Sequence, residues 1–329
     1  MMRIHIMAAL AALSLPAAAW AKVDSYKDWA VACDNTRHCE ANGTQAADGD
    51  NPVSLLLKRD GGPNAPLTGE LIAADADDGK VGPLTLRLGD FKLSGLKTEQ
   101  SLSAAQMAQL LPRMLNADEI GLSDGKLEWT LSLAGLKAAL LKMDEAQGRL
   151  GTPGALVRKG AKPESSVPPA LPAPLLKPVP AAARPGDAAL AAPILKAVRE
   201  RGCWEDMPDA ENPRIDVHRL SADKVLVLRE CGRGAYQGGF SVWIARDKPP
   251  YRPALAKLAD GDAAYLMNAE FNQGVLSSYA EGRGIGDCNV SASWAWTGGG
   301  FELMHADEAP QCRGIPGGVS LRSWVTRQK

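Results

Sequence analysis

Over most of the chain the apolar positions come in short or alternating runs. In the first half these are DWAVAC (28–33), VSLLLK (53–58), LTGELIA (67–73), LTLRL (84–88) and KLEWTLSL (126–133), divided by DGDNP, DGGPN and DDGK. Such runs, bounded by Gly, Pro, Asn and Asp, predict strands joined by turns. Two helices interrupt them. Ser103 precedes AAQMAQLL with Gln106 three residues on and Leu102 and Met107 at the staple positions, so a capped helix starts there and ends or kinks at Pro112. Leu133, Leu136, Leu140 and Met143 recur at helical spacing, and Gly148 suits the end of that helix.

The second half opens with a helix around Pro193 to Arg201 and then returns to strands: KVLVLREC (224–231), FSVWIA (240–245) and VSASWAW (290–296). Thr297-Gly298-Gly299-Gly300 joins the last of these to FELM as a hairpin loop. A faint duplication is present. Gly-Arg-Gly recurs at 232–234 and 282–284, each time after an apolar strand and before a strand carrying Trp243 or Trp294. Two copies are too few for a closed propeller, which takes roughly 4 to 8 blades, so they are read as two related hairpins. The expected fold is mainly β with a few helices (α+β), in two β-rich domains of sandwich or small-barrel type stabilised by disulfides.

Between the halves, residues 161–187 read AKPESSVPPALPAPLLKPVPAAARPGD, with 14 of 27 positions Pro or Ala. That composition predicts a semi-rigid, polyproline-like spacer between domains at 22–160 and 188–329. At the start, Arg3, an alanine-rich apolar run and Ala19-Trp20-Ala21 have the order of a secretory signal peptide over residues 1–21. No later run is long enough to span a membrane. Past residue 21 the balance is 36 basic to 38 acidic residues, which lacks the basic footprint of a nucleic-acid binder.

All six cysteines follow the signal, and an even count in an oxidising compartment favours disulfides. Six cysteines allow 15 pairings. Pairing by sequence neighbourhood gives Cys33 with Cys39, Cys203 with Cys231 and Cys288 with Cys312.

YKDWAVACDNTRHCEA (26–41), LAGLKAALLKMDEAQGRLGTPGALVRKG (133–160) and GRGIGDCNVSASWAWTGGGFEL with the following CRG together resemble domain of unknown function 1176, a family of bacterial exported proteins. The opening block is also similar to the invasion-associated locus B proteins. The first resemblance implies a periplasmic location and supplies no activity and no catalytic residue.

No stretch identifies a reaction. His218 has Asp216 beside it, but no G-x-S-x-G elbow exposes a serine, and disulfide cysteines are not nucleophiles. Asp75, Asp77 and Asp78 suggest calcium, yet the EF-hand register fails and a solvated turn reads better. Gly282 to Gly286 lacks the spacing and the strand-to-helix setting of a nucleotide loop. No metal site and no cofactor are expected. What stands out is composition: residues 188–329 hold Trp204, Trp243, Trp294, Trp296 and Trp324, and arginine outnumbers lysine 12 to 5. Trp and Arg are enriched at binding hot spots. The reading is a periplasmic, non-enzymatic module that binds an envelope protein or cell-wall component through Arg233, Arg283, Trp243, Trp294 and Trp296. The alternative is a cell-wall hydrolase using paired carboxylates drawn from Asp216, Glu281 and Asp287.

Overall fold

In the computed structural model the described residues are 22–77, 79–198, 202–203, 212–258 and 265–328. The expected signal peptide (1–21), Asp78, Trp204 and the end of the helix expected to reach Arg201 lie outside them. β1 (Asp24–Tyr26), β2 (Trp29–Cys33), β3 (Cys39–Thr44), β4 (Val53–Arg59) and β5 (Leu67–Ala73) form an antiparallel meander, extended at the β5 edge by β8 (Gln100–Leu102). β6 (Leu84–Leu88), β7 (Phe91–Leu96), β9 (Glu119–Ser123) and β10 (Glu128–Ser132) make a second sheet in the order β10-β9-β6-β7.

β4 reads as an unbroken apolar run because both of its faces are covered. Leu55 and Leu57 join Trp29, Leu86, Ile120 and Trp129 in the core between the sheets, while Leu56 packs with Ile315, Val319 and Leu321 from the far end of the chain. Gly43 has no freedom to vary. A Cβ there would lie 2.2 Å from Trp29 Cε2, where the indole crosses β3 and donates from Nε1 to Ser132 O.

α1 (Ala104–Met114) carries the expected capping box, Ser103 with Gln106, and Leu102 and Met107 are both buried in the same core. α2 (Leu136–Ala146) starts later than the Leu133 stripe predicts. At Gly135 φ is +99° and a Cβ would lie 1.7 Å from Tyr26 O, so the chain turns there and Leu133 is buried ahead of the helix. The loop after α2 folds around the fully buried Arg149, which donates to Gln147 Oε1 at 2.9 Å, Glu164 Oε1 at 3.2 Å, Asp60 O at 3.1 Å and Gly62 O.

The proline-rich segment expected as a spacer is pinned along its length. Leu171 N–H donates to Thr36 O at 3.0 Å, Val179 N–H to Trp296 O at 2.8 Å, and β11 (Leu175–Leu176) pairs in parallel with β22 (Arg327–Gln328). Proline has no N–H, so these main-chain contacts are made by the residues between the prolines.

Beyond it, β12 (Ile215–Arg219), β13 (Lys224–Arg233), β14 (Gly238–Arg246) and β15 (Ala254–Leu255) form one sheet, with β16 (Tyr265–Met267) also pairing with β14. β17 (Glu270–Asn272), β18 (Val275–Glu281), β19 (Asn289–Trp296), β20 (Phe301–Ala309) and β21 (Leu321–Val325) form a five-stranded meander. Leu226, Leu228, Phe240 and Val242 face Leu276, Trp294, Trp296 and Phe301. On the reverse side Val225, Val227 and Trp243 pack on Ile194 of α3 (Ala191–Ala197), so β13, like β4, is covered on both faces. The fold is mainly β, and the disulfides are Cys33–Cys39, Cys203–Cys231 and Cys288–Cys312. No helix among the described residues is long and apolar enough to cross a membrane.

Charged groups also tie β3 to β21. Glu40 Oε2 accepts Arg322 N–H at 2.7 Å and Asp34 Oδ2 accepts Arg322 Nε–H at 2.6 Å, while His38 lies between Asp60 Oδ1 at 2.6 Å and Glu40 Oε1 at 3.3 Å. Burial opposes protonation of His38, but the two carboxylates outweigh it and raise its pKa. The stabilisation is therefore full below the unfolded-state value of about 6.5 and is lost as pH rises through the higher folded value. Melting of the wild type and of His38→Gln between pH 5.5 and 8.5 should show the wild-type advantage shrinking with rising pH; a constant advantage would contradict the assignment.

Candidate functional site at two glycine-arginine turns

The β13–β14 hairpin turns through Arg233-Gly234-Ala235-Tyr236-Gln237, closed by Gly234 N–H to Gln237 O at 2.8 Å. A bulge between Glu230 and Gly232 breaks the strand register just before the turn, and such bulges re-aim side chains. Glu230 is 3% exposed; Oε1 accepts Arg233 Nε–H at 2.7 Å and Oε2 accepts Arg214 N–H at 2.9 Å. The Arg233 hydrogen bond outweighs burial and holds the Glu230 carboxyl below its ordinary pKa. Arg214 stacks over Phe240, 5.8 Å from the ring centre, with Nε 2.7 Å from Asp216 Oδ2. A cavity of about 350 Å³ opens here, lined among others by Arg214, Glu230, Arg233, Tyr236, Phe240 and Asn268.

The second Gly-Arg-Gly lies beside the first. Gln237 grips the main chain of Glu281 twice, donating from Nε2 to Glu281 O at 3.1 Å and accepting Glu281 N–H at 3.0 Å. Gly284 sits so close to Tyr236 that a Cβ would touch its ring at 3.7 Å. The two turns share one end of the paired sheets, and Tyr236 and Ile285 stand 49% and 52% exposed there.

The two arginines are not equivalent. Arg283 binds Asp287 with both Nε, at 2.9 Å to Oδ1, and Nη2 to Oδ2; Asp287 is 1% exposed and also accepts Gly314 N–H at 2.6 Å. Burial works against ionisation of Asp287, but Arg283 and Gly314 prevail and its pKa is lowered. Arg283 is thus a brace between its turn and the Cys288–Cys312 segment. Arg233, with its side chain 66% exposed, uses only Nε on Glu230, and among the described residues its terminal nitrogens have no protein partner.

The tryptophans expected beside these arginines are elsewhere. Trp243 and Trp294 are 2% exposed and Trp296 1%, so they fill the cores on the two faces of the β13–β14 sheet and offer no surface. Alternation along β14 and β19 assigned each to one face, but only the covering elements decide that the face is buried. The exposed aromatic ring is Tyr236, with Glu230 and Arg214 as the other polar members that sequence reading passed over. The signal available was the Ala-Tyr-Gln insertion directly after the first Gly-Arg-Gly.

Of the acids weighed for hydrolysis, Asp287 is occupied by Arg283 and Gly314, Asp216 pairs with Arg214, and Glu281 stands at the end of β18. Asp287, Cys288 and Cys312 cluster within 4.8 Å. Both sulfurs are spent in the disulfide, which removes the thiolates that metal ligation uses.

Residues 23–327 match the model of a family described as "Protein of unknown function (DUF1176)". The chain is 32% identical over 331 residues to the uncharacterized protein YpfG of Escherichia coli strain K12, with 92% of each chain covered. No solved structure matches it. With the family model spanning the described chain almost from end to end, the protein belongs to the DUF1176 family.

Proposed function

We propose that this protein is a non-enzymatic binding module of the periplasm whose paired Gly-Arg-Gly turns take a carboxylate of an envelope protein or cell-wall ligand. One observation carries the reading: Arg233 is fixed through Nε to a buried carboxylate and lines a cavity of about 350 Å³ beside a half-exposed tyrosine. A guanidinium so anchored offers a preset pair of donors, and little ordering is left for the bound state to impose. Tyr236 and Ile285 add rigid apolar contact on one side. Glu230, which lines the cavity, is held ionised by Arg233 with both oxygens hydrogen-bonded, and Asp287 in the neighbouring turn is held likewise by Arg283 and Gly314. Three closed disulfides fit an oxidising compartment.

The test is an equilibrium titration with soluble cell-wall fragments whose peptides end in free carboxylates, alongside the same fragments after amidation. Saturable binding that amidation abolishes is the expected result. Equal binding of both forms, or none of either, would remove the carboxylate assignment.

A further inference from the structure

The far end of the β13–β14 hairpin carries a second feature, roughly 30 Å from Arg233 at the usual strand rise. There the segment RDKPPYR (246–252) leaves β14 and closes on itself: Arg246 N–H donates to Tyr251 O at 2.6 Å, Tyr251 N–H to Lys248 O at 2.9 Å and Arg252 N–H to Pro250 O at 2.6 Å. Asp247 N–H is tied back to Asp223 O at 3.0 Å. Against this turn lies a cavity of about 240 Å³ whose charged lining is Asp223, Arg246, Asp247, Lys248 and Arg252.

Those charges do not cancel. Asp247 is already neutralised from behind: Oδ2 accepts the buried Arg219 Nη1–H at 2.8 Å and Arg184 Nη1–H at 3.4 Å, while Arg219 also holds Asp187. Asp223 Oδ1 accepts the Ser221 hydroxyl at 3.0 Å. Arg246, Lys248 and Arg252 are exposed, and none of their cationic heads makes a hydrogen bond or ion pair with a described residue, although the Lys248 charge also acts on Asp247. Three cations thus face one uncompensated acid across a turn whose backbone is already closed by hydrogen bonds.

We propose that this turn is a binding site for a doubly charged phosphoryl group, carried either by a soluble phosphate compound or by a phosphomonoester lipid headgroup. An excess of two positive charges matches a phosphoryl dianion, whereas a single carboxylate would leave one cation unanswered. Two guanidinium forks and one ammonium suit several oxygens around one centre. The site lies apart from the carboxylate cavity and stands or falls independently of it.

Pyrophosphate titrated into the full chain by calorimetry, and sedimentation with phosphatidic acid vesicles against phosphatidylcholine vesicles, separate the two sources. Binding of pyrophosphate without the anionic vesicles assigns a soluble anion; binding of the vesicles assigns a headgroup. In either case the Arg246→Gln, Lys248→Gln, Arg252→Gln triple variant should bind about tenfold or more weakly, with Arg233→Ala unaffected. The three heads are exposed, so melting of the triple variant should match the wild type; if it does not fold, Arg252→Gln alone carries the same comparison. No binding of either probe, or variant binding as tight as wild type, would overturn the site.

Discussion

Replacing Arg149 by methionine is expected to lower the unfolding free energy by about 3–5 kcal/mol, the scale for breaking a buried ion pair from one side. Arg149 is fully buried, and its guanidinium serves Gln147, Glu164 and the carbonyls of Asp60 and Gly62 at once. Methionine is of similar size but removes the sole donor to Gln147 Oε1 and Gly62 O among the described residues, each of which then bears a desolvation cost, while Asp60 O keeps Gln147 Nε2 and Glu164 Oε1 keeps Asn64 N–H. The neighbouring cation cannot substitute. Arg59 is itself pushed down to a pKa of about 10, by burial first and then by the charge of Arg149, and it faces Asp144 at 3.6 Å. Urea denaturation measures the effect, with Lys142→Met as the control. Lys142 meets Asp24 at 3.4 Å on the surface, and exposed pairs of this kind contribute little. Equal losses in the two variants would mean that the network around Arg149 is not a stability determinant.

Arg233→Ala is expected to weaken binding of the carboxylate-bearing fragments by about tenfold or more, the effect of truncating an interface hot spot, with a smaller loss of melting temperature than Arg283→Ala, because Arg233 makes one contact to its buried carboxylate and Arg283 makes two. The side chain is mostly exposed, and Glu230 Oε2 keeps its hydrogen bond from Arg214 N–H while Oε1 loses its donor. Arg283→Ala should do the reverse. It leaves the buried Asp287 with Gly314 N–H alone and loosens the brace to the disulfide segment, so its melting temperature should fall. The pair of variants separates recognition from architecture within two turns of identical local sequence. Loss of affinity in Arg283→Ala alone would reverse the assignment.

The contrast also marks what the sequence could convey. Strands flanked by turn residues were legible, as was the Ser103 capping box, because each rests on local chemistry that the fold does not override; of the three disulfides only Cys33–Cys39 is local in this sense, since the other two join cysteines 28 and 24 residues apart. β3, CEANGT, was not legible. Its Asn42 is used by Ser54 and Gln311, and its Gly43 exists to clear Trp29, both of which are long-range demands on a strand without apolar alternation. The tryptophans fail as a surface for the same reason. Period-two alternation says that Trp294 and Trp296 share a face, but the opposing Leu226, Leu228 and Val242 come from strands about fifty to seventy residues away. The recurrence of Gly-Arg-Gly was visible, whereas the meeting of its two copies through Gln237 and Glu281 required the two sheets to stack.

Hydrogen exchange of the full-length protein, with and without saturating carboxylate-bearing cell-wall fragments, tests the central claim most directly. Slowed exchange confined to residues 232–238 and 281–287 is the predicted result, since the ligand would cover both turns. Unchanged exchange in both turns at saturation, or protection elsewhere only, would contradict a binding site built on Arg233.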